Sequence, residues 1–143
     1  MAEITDSTRG WLAAQHRAVL ITLRADGTPQ SSNVVTAFDG TRFHVSVTDD
    51  RAKTRNLARD PRAVMHILGT DFWSYASVKC VAELGSVSTR AGDQAGQDLL
   101  ALYNSIRDTP HPNPAEFFDA MVREHRLRVS LRAQSVSGMD WNV

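Results

Sequence analysis

The strongest constraint on this chain is a pair of Asp-Gly dipeptides, Asp26-Gly27 and Asp39-Gly40, each set between runs rich in β-branched and apolar residues. Glycine readily adopts the positive φ that a tight reversal demands, and aspartate tolerates it, so each dipeptide predicts an antiparallel hairpin. The runs that they join are Arg17 to Arg24, Thr28 to Phe38 and Arg42 to Thr48. In the third, Phe43, Val45 and Val47 alternate with His44, Ser46 and Thr48, the period of two expected of a strand with one face in a core. Together the runs predict a three-stranded meander.

Further along, Asp49-Asp50 offers an N-cap for a short basic helix from Arg51 to Asp60, which Pro61 halts because proline cannot continue the hydrogen-bond ladder. Before the meander, Asp6 or Ser7 is placed to cap a helix running to about Gln15. A fourth strand is expected over Arg62 to Leu68 and a long fifth over Phe72 to Thr89, with Gly85 as its bend or bulge. Leu99, Leu100, Leu102, Tyr103 and Ile106 recur at helical spacing within Ala91 to Ile106, and Pro110, Pro112 and Pro114 mark the loop that follows. A last helix, Pro114 to His125, and a sixth strand, Arg126 to Val136, precede the tail 137–143. The fold class expected is mainly β (α+β): a six-stranded antiparallel barrel with flanking helices, rather than a parallel α/β sheet. Nothing resembling a repeat or linker divides the chain, so residues 1–143 are read as one domain.

Composition removes several classes of function. Formal charge is zero, and a nucleic-acid footprint needs a basic stripe that this balance does not supply. No apolar run approaches the roughly 20 residues that span a bilayer, and Met1 to Asp6 carries no secretory signal, so the cytoplasm is the expected compartment. Cys80 is the only cysteine, and the five histidines stand singly, so no metal site is expected. A phosphate-binding glycine loop, a nucleophile elbow and paired-histidine spacing are all missing, and no side chain is assigned as catalytic.

One segment carries chemistry: Thr48-Asp49-Asp50-Arg51-Ala52-Lys53-Thr54-Arg55-Asn56-Leu57-Ala58-Arg59-Asp60-Pro61. A helix start turns unpaired N–H groups and the positive end of the macrodipole outward, which suits a phosphate. Arg51 and Lys53 there add full positive charges, opposing the dipole by some 0.3–1 kcal/mol each. Two readings follow from the residues alone. The cations are either a solvated face, completed by Arg55 and Arg59, or the grip for an anion.

The segment resembles the phosphate-binding strand–helix junction of the pyridoxamine 5'-phosphate oxidase-like, flavin-binding split β-barrel superfamily. Lys53 matches its lysine, Leu57 its apolar position and Asp60-Pro61 its ending, while Ala52 stands where the family's arginine is found and Arg51 where its serine is found. The variant Arg-Ala-Lys-Thr-Arg-Asn-Leu, with Asp60-Pro61-Arg62-Ala63 and Trp73-Ser74-Tyr75-Ala76, is similar to the actinobacterial branch that uses the deazaflavin coenzyme F420. The resemblance implies a split barrel and a homodimer whose coenzyme ring lies in a groove between subunits. It implies phosphate ligands at Arg51, Ala52, Lys53 and Thr54, and a ring bordered by Ser31, Ser32 and Asn33 on one strand and Ser46, Val47 and Thr48 on the next. Trp73 and Tyr75 are the candidates for the substrate side. The reaction implied is hydride transfer from reduced F420 to a conjugated small molecule such as a quinone or tetrapyrrole. The alternatives are an FMN-dependent enzyme of the same fold and a non-catalytic F420 carrier. Vitamin B6 oxidation is not implied, because the chain ends in Gly138-Met139-Asp140-Trp141-Asn142-Val143 without that enzyme's C-terminal arginine and histidine.

Overall fold

The computed structural model describes residues 3–139; positions 140–143, in the tail, lie outside the described residues. Eleven elements follow in order: α1 (Asp6–Ala14), β1 (Arg17–Leu23), β2 (Pro29–Val35), β3 (Ala37–Phe38), β4 (Arg42–Thr48), α2 (Ala52–Arg59), β5 (Arg62–Leu68), β6 (Tyr75–Leu84), α3 (Gln94–Arg107), α4 (Pro114–Arg123) and β7 (Arg126–Met139). The strands form one sheet in the order β2-β1-β5-β6-β7-β4-β3, with every neighbouring pair antiparallel. The class is the mainly β one expected, with seven strands in place of six.

The extra strand comes from a bend. The run Thr28 to Phe38 divides at Thr36, so its first half, β2, pairs with β1 while its second, β3, pairs with β4. Thr36 is fully buried at the joint, where its N–H donates to His16 O (2.9 Å) and its Oγ1–H to His44 O (2.9 Å). The two edges of the sheet are thus halves of one bent strand, and the barrel closes through the chain itself.

Alternation fills the interior. Leu20 of β1, Phe43, Val45 and Val47 of β4, Met65 and Ile67 of β5, Val78 of β6, and Val129 and Leu131 of β7 all point inward and are buried. On β7 the inward phase then changes from Leu127, Val129 and Leu131 to Val136, because the register skips Gln134 opposite Lys79 and Cys80. The bulge therefore sits there and not at Gly85, which lies just past β6 with its N–H bonded to Arg128 O. Helices α3 and α4 pack on each other outside the barrel around Leu99, Phe117 and Met121.

Other boundaries moved for local reasons. The strand expected from Phe72 begins at Tyr75, because the Asp71 carboxylate accepts from the N–H groups of Trp73 (2.8 Å) and Ser74 (3.0 Å) and holds a turn. Thr5, not Asp6 or Ser7, caps α1 through the Thr8 N–H. Among the described residues no helix is long and apolar enough to cross a membrane.

Thr36→Val keeps the size of the joint but removes the donor to His44 O. It should cost about 1–3 kcal/mol in urea unfolding while far-UV circular dichroism stays native. An unchanged midpoint would show that the joint does not depend on this bond.

Candidate functional site

Strand β4 ends at Thr48, and the chain turns through Asp49 and Asp50 into α2. The expected aspartate cap is not made. Asp50 Oδ1 instead accepts from Thr48 Oγ1 (2.6 Å), and the N-cap residue is Arg51, which makes no side-chain capping bond. The N–H groups of Thr54 and Arg55 both reach Arg51 O, leaving those of Ala52 and Lys53 without an intrahelical acceptor. The first turn of α2 holds no acidic residue. Thr54 is buried, and its hydroxyl donates to Thr48 O (2.7 Å), so it fastens the helix to the strand.

Three cations converge on this mouth. Lys53 is half-buried, and burial first, then the charges of Arg51 and Arg126, hold its ammonium below the ordinary lysine range. Arg126 is brought in by β7, whose first residue lies opposite Thr48 in the β4–β7 register. His125 turns the chain out of α4 with a φ of 54° and anchors the corner by accepting Asp49 N–H at its carbonyl (3.1 Å). Arg126 bonds Glu124 Oε1 through Nη2 (3.0 Å) and Nε (3.1 Å), and its Nη1 lies 3.4 Å from Ser46 Oγ. Thr48, Asp50, Arg51, Ala52, Glu124 and Arg126 line a shallow cavity of about 540 Å³. Among the described residues neither Arg51 nor Lys53 forms an ion pair. The mouth thus gathers two backbone N–H groups without an intrahelical acceptor and three cations, beside the carboxylates of Asp50 and Glu124.

The other candidate residues divide by the pleat. Ser46 and Thr48 face outward beside the mouth, whereas Val47 is buried in the barrel and has only its backbone to offer. On β2, Ser31 and Asn33 face outward and Ser32 faces inward, opposite buried Leu20, with its Oγ buried and lacking a partner. Asn33, Val19 and His66 run across the outer wall of β2-β1-β5, and Tyr75 stacks on His66 with ring centroids 5.0 Å apart. Trp73 is 66% exposed in the turn before β6, edge-on to Phe72. Neither it nor Tyr75 lines the cationic cavity, so within one chain the mouth of α2 and this outer wall are separate, and Ser32 and Val47 face into the barrel. Cys80 is buried, which pushes its thiol up to about 12 and makes it a packing residue.

Arg126 and Glu124 escaped the sequence reading. Arg126 lies eighty residues from Ser46, and only the strand pairing unites them.

Fold and site together define a split β-barrel domain with a cation-rich strand–helix junction on its outside. The family model described as pyridoxamine 5'-phosphate oxidase matches residues 4–126, and the chain belongs to that family. Among solved structures, one named F420 reductase is 24% identical with a TM-score of 0.69, covering 90% of this chain and 94% of its own. A conserved hypothetical protein from Mycobacterium tuberculosis is 18% identical with a TM-score of 0.73, covering 98% of this chain and 87% of its own. The heme storage protein HutZ from Vibrio cholerae is 14% identical with a TM-score of 0.63, covering 96% and 95%. At these identities the likenesses speak for the fold.

A lysine whose pKa is lowered by folding is a charge that the fold disfavours. Protonated Lys53 therefore opposes folding below its folded-state pKa, and the penalty fades as pH rises through the unfolded value of 10.5. Lys53→Met should leave thermal stability at pH 7 unchanged or raised, with the gain shrinking as pH rises towards 10.5 and gone above it; a clear loss of stability would mean that the ammonium is satisfied where it stands.

Proposed function

We propose that the chain is an oxidoreductase that holds the deazaflavin coenzyme F420 and passes its hydride to a conjugated small molecule. The observation that carries this reading is the uncapped start of α2, where burial and the charges of Arg51 and Arg126 hold the Lys53 ammonium below the ordinary lysine range. An anion bound there would relieve that crowding, receive the N–H groups of Ala52 and Lys53, and complete the cap that Asp50 does not supply.

When bound, the coenzyme supplies the hydride. The residues of this chain bind and orient it: Arg51 and Lys53 hold the phosphate, while Ser46 and Thr48 line the approach to it along the outer face of β4. Val47 contributes only backbone, and Thr54 keeps the helix start seated on the strand. Ala52 sits in the cavity lining between the two cations, and its small side chain leaves room beside them. No side chain is required as an acid or base at the reacting carbon.

A ring the size of a deazaflavin needs two walls. The outer face of β2-β1-β5-β6 supports the proposal that a second copy of the chain provides one, since it carries Val19, Ile21, Val64 and Tyr75 half-buried and leaves Val35 57% and Leu68 36% exposed. Ser31, Asn33, Tyr75 and Trp73 would then meet the ring or its acceptor across a homodimer interface. Neither nucleic acid nor a membrane belongs to this reading, and the cytoplasm is its compartment.

Tryptophan quenching measures the claim. Wild-type protein should bind F420 more tightly than FMN or haem, and Arg51→Ala with Lys53→Ala should weaken F420 by about two to four orders of magnitude, as expected for two charge-assisted bonds of about 1.5–3 kcal/mol each. Unchanged affinity in the double variant, or tighter binding of FMN or haem, would overturn the assignment.

A further inference from the structure

Beside the cationic mouth lies a second, drier pocket of about 300 Å³ between the helical pair and β4. Leu99, Leu102, Tyr103, Ile106, Phe117 and Met121 form its apolar walls, and its charged lining is Glu124 with Arg126. Such a volume lies at the lower end of the roughly 300–1,000 Å³ typical of small-molecule sites. We infer that this pocket takes an apolar monocarboxylic acid, its body among these side chains and its carboxylate on Arg126.

Arg126 selects an acid over a neutral or cationic guest, since it is the cation of the pocket lining and offers its N–H donors to a carboxylate. Its bond to Glu124 uses two donors on one carboxylate oxygen, Oε1, and both side chains are partly exposed. Partly exposed pairs of this kind hold weakly, so a ligand carboxylate can take Glu124's place in a bidentate pair while Glu124 turns to water. Tyr103 and Phe117, edge-to-face at 5.5 Å, favour a flat body over a branched one. The guanidinium has five N–H donors, so Arg126 can face this pocket and the phosphate mouth at once. Casting the acid as the hydride acceptor rests on the coenzyme reading above; its binding does not.

The probe is 2-naphthoate, with neutral 2-naphthamide as its isostere, titrated calorimetrically and by NMR of protein carrying ¹³C-methyl methionine. Naphthoate should shift the methyl signal of Met121, on the pocket wall, and leave that of Met65, buried in the barrel, in place. The amide should bind at least about tenfold more weakly, and Arg126→Gln should erase that difference. Arg51→Ala with Lys53→Ala should leave naphthoate within about threefold of wild type. Equal binding of acid and amide to the wild type, or a naphthoate effect that spares Met121, overturns the inference. Should naphthoate fail while F420 binds, this pocket assignment falls alone; should F420 fail while naphthoate binds, the coenzyme reading falls alone.

Discussion

The pairing of β4 with β7 is the constraint on which the rest depends. It sets Thr48 opposite Arg126, at the point where one strand gives way to a helix and the other emerges from one. Both chain corners are tied there, Asp49 N–H to His125 O and Thr54 Oγ1 to Thr48 O. A one-residue slip of this register would turn Arg126 into the barrel and Leu127 out of it, so the apolar interior enforces the position of the cation. The closing bend at Thr36 serves the same end, since it keeps β3 on the free side of β4 and denies the sheet an open edge.

Given that frame, the start of α2 departs from what stability alone would choose. Its N-cap is an arginine without a capping bond, its first turn has no acid, and its half-buried lysine titrates low against two guanidinium groups. Elsewhere the same chain caps its helices well: Asp93 accepts the Gly96 N–H (2.8 Å) and Asn113 the Glu116 N–H (3.2 Å). Local rules are kept at three helix starts and broken at the fourth, which is where the proposed phosphate would complete the cap.

Much of the barrel was legible in the residues. The alternation of Phe43, Val45 and Val47, and the turns at Gly27 and Gly40, where φ is 87° and 101°, marked the hairpins β1–β2 and β3–β4. What escaped depends on contacts distant in sequence. Thr36 reads as one more strand residue until His16 and His44 are known to flank it, and the β7 bulge at Gln134 leaves no mark on composition. Asp49-Asp50 looked like a cap because cap preference is local, whereas Asp50 was already engaged by Thr48. The same limit applied to the site. Arg51, Ala52, Lys53 and Thr54 could be named as a group because they are contiguous, while Arg126 and Glu124 join them only through strand pairing. Trp73 was expected on a strand, and the Asp71 turn moved it to an exposed loop tip.

The central claim is that the cations at the α2 mouth exist to hold a phosphate. A crystal structure of the protein with F420 tests it most directly. The account predicts the phosphate oxygens within about 2.7–3.2 Å of the Ala52 and Lys53 backbone nitrogens, with Arg51 and Lys53 closing over them. A phosphate seated elsewhere, for instance among Arg24, Arg59 and Arg62 at the far end of the same helix, would contradict it.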